Sequence, residues 1–186
     1  MSNDFLNEIN KLKTNYYSKN PKNILFPSKQ KMDCAQSITN VIDFDKLIQN
    51  TIYQVRDTNK IFIDYTVFKI YANPENYLLI IDSIFSVFDS VIHQYGSFEI
   101  HFNLNTFSVT ACQRYKKIIE LFIEKCIQKK SEYTKKVMKL YLYYTPTVFD
   151  NIALILQQWI HPEVRDKFVL YNKIESIERT QQLFLP

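Results

Sequence analysis

Glycine is almost missing: Gly96 is the only one in 186 residues. Loops that cradle phosphates need glycines, because only a residue without a Cβ lets backbone N–H groups close on an anion. The chain therefore carries no GxxxxGK[ST] loop, no GxGxxG turn and no GxSxG nucleophile elbow. That argues against nucleotide hydrolases, Rossmann dehydrogenases and standard α/β-hydrolases. Cysteine is also sparse. Cys34, Cys112 and Cys126 lie far apart and form no CxxC pair, so neither a disulfide framework nor a zinc knuckle is expected. A reducing, intracellular, cytoplasmic setting fits such usage. His93, His101 and His161 share no metal-ligand spacing, and no metal or other cofactor is expected. Charge of one sign is in small excess only: the net +4 permits weak attraction to anionic surfaces without demanding it. No zinc finger, RNP-type aromatic motif or basic helix-turn-helix pattern appears, so nucleic acid is not expected as a partner.

Apolar and aromatic side chains are abundant, at 46% and 15% of the residues. That supports one folded domain with a substantial core and argues against a disordered chain. The start, MSNDFLNEINKLK, is amphipathic and mixed in charge, unlike a signal peptide. The greasiest stretch, NYLLIIDSIFSVFDSVI, is interrupted by Asp82 and Asp89. Each carboxylate would cost about 2.5–3.5 kcal/mol at a bilayer centre, which argues against a membrane span. The wealth of Asn, Lys, Ile and Tyr is what an AT-rich coding genome produces.

Along the chain, Phe5, Leu6, Ile9 and Leu12 have helical spacing. Pro21 and Pro27 bracket a basic loop through Lys31, and Asp43 to Asn50 reads as a short helix. TIYQV and IFIDYTVFKIY read as strands around the turn RDTNK. Asn73 as N-cap, Pro74 at the first helical position and Gly96 past the end punctuate the next helix. FEIHFNL alternates Phe98, Ile100, Phe102 and Leu104 against Glu99, His101 and Asn103, a strand with two chemically distinct faces. Thr106 or Ser108 could cap a long helix running to about Lys130. Strands are expected near 61–67, 98–104, 138–144 and 167–173, and beyond Glu175 the pattern fades. Alternation of strands and helices predicts a single α/β domain with a central, mostly parallel sheet and flanking helices. The first fifty residues would be an N-terminal helical arm and residues 51–186 the domain proper.

The segment Thr147 to Ile160 predicts a helix with excess apolar surface. Its apolar side chains, among them Val148, Phe149, Ile152, Ala153, Ile155, Leu156, Trp159 and Ile160, fill an arc of about 160°, wider than the ~100° stripe a surface helix needs. Leu154 stands in the middle of the opposite, polar arc. Such a helix either packs deep in a core or borders a ligand cavity, lipid or a partner.

IYQVRDTNKIFIDYTVFK, FEIHFNLNTFSV and LYLYYTPTVFDNIALILQQWIHPEVRDKFVLYNKI, in that order and spacing, resemble the CRAL-TRIO lipid-binding domain. Thr145-Pro146, Trp159 to Pro162 and Lys173-Ile174 occupy that family's polar-Pro strand end, its proline elbow and its Lys-Ile strand end. The resemblance spans roughly Thr51 to Ile174. It implies a CRAL-TRIO-like fold in which the stretch matching Asn151 to Asp166 is a mobile gate over a hydrophobic pocket. Two departures stand out: the family's Asp-Leu-x-Gly turn is here Asn103-Leu104-Asn105-Thr106, and the closing strand with its Gly-Gly tail is absent. Divergent members of the family serve as protein-interaction modules.

These observations set the expected site. A hydrophobic ligand or lipid would be lined by Phe102, Leu104, Tyr141, Tyr143, Phe149, Ile152, Ile155, Leu156 and Trp159. Lys129, Lys130, Lys135 and Lys136, in the densest run of charge, would meet an anionic membrane surface as a peripheral contact, where a solvated helix face is the plainer account. His101 and Glu99 share a strand face but lack a nucleophile or third ligand in sequence, so no enzymatic activity is expected. The alternative is a protein-interaction or structural module, of a large DNA virus and its virion for example, that keeps the fold without lipid transfer.

Overall fold

The computed structural model describes residues 3–128, 132–147 and 162–185. In chain order these residues form α1 (Asn3–Lys19), α2 (Pro27–Thr39), α3 (Phe44–Thr51), β1 (Ile52–Gln54) and β2 (Lys60–Asp64). There follow α4 (Tyr65–Tyr71), α5 (Tyr77–Tyr95), β3 (Phe98–Asn103), α6 (Val109–Arg114), α7 (Lys116–Gln128), α8 (Glu132–Lys136) and β4 (Val137–Tyr143). The last three are α9 (Pro162–Arg165), β5 (Phe168–Leu170) and α10 (Lys173–Phe184). The predicted helix at 147–160 lies outside the described residues.

The five strands form one sheet in the order β1-β2-β3-β4-β5. Only β1 runs antiparallel to its neighbour; β2, β3, β4 and β5 are mutually parallel. The result is a single α/β domain with a mostly parallel sheet flanked by helices. Strands added in sequence order by right-handed crossovers place successive connections on one sheet face. The helices between β2 and β4 do pack there. Phe88 of α5 lies against Phe98 of β3, ring centroids 4.8 Å apart. Phe85 stacks on Phe122 of α7 and meets Tyr133 of α8 at 5.4 and 4.9 Å. A second aromatic group fills the other half of this layer, with Tyr65 against Phe107 at 4.9 Å and Phe68 against Tyr115 at 5.0 Å. Each fully buried ring of this size contributes roughly 1.5–3 kcal/mol. The first fifty residues join the same core through Phe5, Ile9, Cys34, Ile38, Ile42, Leu47 and Ile48.

Residue chemistry explains where elements start and stop, including five places where the sequence pattern misled. The apolar run IFIDYTVFKIY is not one strand: β2 ends at Asp64, whose Oδ1 accepts from Thr66 N at 2.7 Å and starts α4. The presumed basic loop continues only to Pro27, which opens α2 as the first helical residue. The Asn73 cap fails by three residues, since Asn73 and Asn76 both donate to Tyr71 O and build a turn before α5. The long helix after β3 is broken at Tyr115, with Ser108 capping only α6. Past residue 170 the expectation also fails. Lys173 and Ile174 belong to α10, opened by a reciprocal capping box of Asn172 and Glu175. Gly96 stands as expected just past α5, with φ of 77°.

Helix α5 is long and apolar enough to cross a membrane by length and composition. Here Tyr77, Ile80, Ile81, Phe85, Phe88 and Val91 are buried in the protein core. Its two carboxylates have protein partners: Asp82 pairs with Lys125 and Asp89 accepts from the Tyr133 hydroxyl.

Candidate functional site

The sheet register divides the expected pocket residues. Phe102 pairs with Leu142 and Ile63 on the face under α4, α5 and α7. Tyr141 and Tyr143 pair with His101 and Asn103 and project from the opposite face. Leu104 is buried just beyond β3, its N–H donating to Tyr143 O at 3.0 Å. Phe102 is thus not brought together with the two tyrosines. Phe149, Ile152, Ile155, Leu156 and Trp159 lie outside the described residues, as do Lys129 and Lys130. Lys135 and Lys136 form the last turn of α8.

On the tyrosine face the rings form a ladder across strands. His101 stacks on Tyr141 at 4.6 Å and on Tyr143 at 5.9 Å; Tyr143 in turn stacks on Tyr171 at 5.5 Å. Helix α10 lies over this face. Ser176 is fully buried, accepts from Tyr144 N at 2.6 Å, and donates to Asn172 O. Phe184 closes the far end against Phe62 and Tyr53. The small hydroxyl side chains Ser176 and Thr180 let the helix approach the sheet. That packing signal is invisible to a search for apolar periodicity.

His101 is 4% exposed, with Nδ1 2.8 Å from the Tyr143 hydroxyl. Its Nε2 sits 3.4 Å from Glu99 Oε2, without hydrogen-bond geometry. Glu99 would favour the imidazolium, yet burial, and next the charge of Lys60, pull the ring's pKa down to about 4. The ring is therefore neutral at pH 7. The tautomer that suits both neighbours accepts from Tyr143 at Nδ1 and turns Nε2–H toward the carboxylate. Burial raises the Tyr143 hydroxyl well above the ordinary tyrosine range. A general base working near neutrality needs an imidazole that titrates near pH 7 and reaches substrate; His101 does neither. Among the described residues no group of His, Cys, Asp and Glu could hold a metal ion.

The fold also gathers a group that no sequence stretch announces. Lys13 of α1, Lys22 of the following loop, Lys31 of α2, Lys69 of α4 and Arg114 at the end of α6 lie close enough to act on one another electrostatically, with Lys69 and Arg114 carried by the helices that follow β2 and β3. Lys69 Nζ donates to Thr106 Oγ1 at 2.5 Å and lies 5.6 Å over the Tyr65 ring. The Arg114 guanidinium lies 5.7 Å over Tyr115, whose hydroxyl donates to Lys69 O. Burial first, then Arg114, Lys13 and Lys22, lower the Lys31 pKa. Lys69 is lowered likewise by burial and then by Lys13 and Lys31, with Asp64 acting the other way. None of the five forms an ion pair among the described residues. Separated by up to a hundred positions, they show no periodicity or motif.

Thr106 carries a further anomaly, a φ of 67°. A left-handed conformation costs an L-residue roughly 1–2 kcal/mol, and the cost rises for β-branched side chains. Thr106→Gly is expected to raise stability by about 0.5–1 kcal/mol after the larger unfolded-state entropy of glycine is subtracted. A shift of the urea midpoint to higher concentration checks it; a lower midpoint would assign the strain a compensating contact through Lys69.

Among the grooves of the described surface, one of about 560 Å³ lies between Asn7, Lys11, Asn15 and Val41, and another of about 340 Å³ beside Met32, Gln36 and Pro74. Both are open to solvent, and neither reaches the layer between sheet and helices. The chain matches no protein-family model, and no curated protein is similar to it in sequence.

Proposed function

We propose that the chain is a non-enzymatic binding module of CRAL-TRIO-like connectivity, working through its surface as a protein-interaction or structural element. The observation that carries this reading is the aromatic packing between sheet and helices among the described residues. Phe85, Phe88, Phe98, Phe122 and Tyr133 occupy one half and Tyr65, Phe68, Phe107 and Tyr115 the other. A lipid carrier needs that volume for its cargo, and ligand pockets are commonly 300–1,000 Å³ and largely preformed. Apolar side chains instead stand in solvent, notably Ile24, Leu25 and Phe26 before α2 and Ile174 and Ile177 on α10. The consecutive parallel order from β2 to β5 supports the connectivity. A reducing, cytoplasmic setting completes this reading, with the first fifty residues as a helical arm packed into the domain's own core.

One observation favours a second reading, binding of a hydrophobic small molecule or lipid. On the helix-side face, cover thins toward β5: Leu140 and Phe168 are half-buried and Leu170 is 46% exposed. A ligand there would use Phe102, Leu140, Phe168 and Leu170. Titration with a fluorescent phospholipid separates the two readings. No saturable uptake is expected, and uptake saturating at one lipid per chain would install the second reading.

A further inference from the structure

We propose that Lys13, Lys22, Lys31, Lys69 and Arg114 together form a binding site for a phosphate group, carried either by a small soluble anion or by a lipid headgroup. The inference rests on cations that the fold holds together without neutralising. Four separate segments supply them: α1 and its following loop, α2, α4 and α6. Gln30 anchors the Lys22 loop to α2, its Nε2 donating to Asn20 O and Pro21 O at 3.1 and 2.9 Å. Tyr115 ties α6 to α4 through the Lys69 carbonyl at 3.3 Å. The cluster is therefore built on fixed backbone rather than on one exposed helix face.

Like charges gathered in this way repel, and an unfilled site of this kind lacks its counter-charge. The carboxylate whose charge acts on Lys69 is Asp64, and it is already engaged, accepting from Thr66 N, Thr66 Oγ1 and Asn103 Nδ2. Asp33, on the same helix as Lys31, forms no ion pair with the cluster among the described residues. The Arg114 Nε atom is buried and has no hydrogen-bond partner, and such a donor is costly to leave unpaired. A phosphate answers both conditions. Its charge offsets several cations at once, and its tetrahedral oxygens accept from a guanidinium fork and from ammonium groups together. Burial first and the neighbouring cations second lower the pKa values of Lys31 and Lys69, and a bound anion would relieve the second of these. Exposed Lys13, Lys22 and Lys31 leave the approach open. The lack of glycine-rich loops excludes only a backbone cradle; side chains can replace it.

The test uses inorganic pyrophosphate and sedimentation with phosphatidylcholine vesicles, with and without phosphatidic acid. Calorimetry at physiological ionic strength is expected to show saturable pyrophosphate binding at one site per chain. Lys31→Gln/Arg114→Gln should weaken it at least tenfold, and Lys117→Gln/Lys173→Gln, equal in charge removed, less than twofold. Lys13→Gln/Lys31→Gln, both exposed positions, serves if loss of Arg114 disturbs Tyr115. Sedimentation that needs phosphatidic acid and fails in the cluster variants assigns the phosphate to a lipid. Pyrophosphate binding without sedimentation assigns it to a soluble anion. Equal weakening by the control variant, or no binding to either probe, overturns the site.

Discussion

Replacing Phe88 by alanine is expected to lower unfolding free energy by about 3–5 kcal/mol, the range for removing a large ring from a packed interior. Phe88 is 1% exposed. Its ring lies 4.8 Å from Phe98, 5.9 Å from Phe85, 5.8 Å from Tyr133 and 6.4 Å from Phe122. Those partners belong to α5, β3, α7 and α8, so the ring joins helices and sheet and no single element can collapse into the void. Guanidinium denaturation checks the loss. The void itself gives a second reading, because an apolar cavity stays dry and admits small apolar molecules; benzene should raise the melting temperature of the variant and not that of the native protein. A loss under 1 kcal/mol would mean that the layer is loosely filled, and the proposal of a surface-acting module would lose its support.

The second large effect concerns pH. His101 binds its proton at about 4 in the folded chain and near 6.5 when unfolded. Because the folded value is the lower one, its contribution is full above pH 6.5 and is lost as pH falls toward 4. Over that window the unfolded state binds the extra proton, and stability declines with acid. The difference between the two values corresponds to about 3 kcal/mol. Carboxylates also respond in this range, so the measurement is a comparison. Between pH 7 and pH 4 the native protein should lose about 3 kcal/mol more than His101→Gln, by urea denaturation at each pH. Parallel profiles would mean that Glu99 holds the imidazolium after all.

The sequence was most legible where one force acts alone. Strand periodicity placed β3 and β4 within a residue of their ends, because alternating residues there face a helix layer on one side and α10 on the other. Gly96 was readable because only its backbone conformation is at stake. Misreadings arose where a side-chain hydrogen bond overrode a hydrophobic run, as Asp64 does in ending β2. Helix α10 escaped because its most deeply buried position is Ser176, with Thr180 one turn on, and apolar side chains reach the sheet only in its last turn. Of the nine expected pocket residues, four lie among those described: Phe102, Leu104, Tyr141 and Tyr143. Tyr141 and Tyr143 do share a face, but with His101 and α10, and Phe102 belongs to the other side. The cluster of Lys13, Lys22, Lys31, Lys69 and Arg114 could not be read at all, since its members meet only after α1, α2, α4 and α6 have packed.

Native mass spectrometry of the protein as isolated, under conditions gentle enough to keep apolar ligands bound, tests most directly whether its interior is filled by its own side chains. A single species at the mass of the polypeptide, with no lipid in the organic extract, is the predicted result. A stoichiometric increment of lipid mass, released on denaturation, would contradict it and make the protein a carrier.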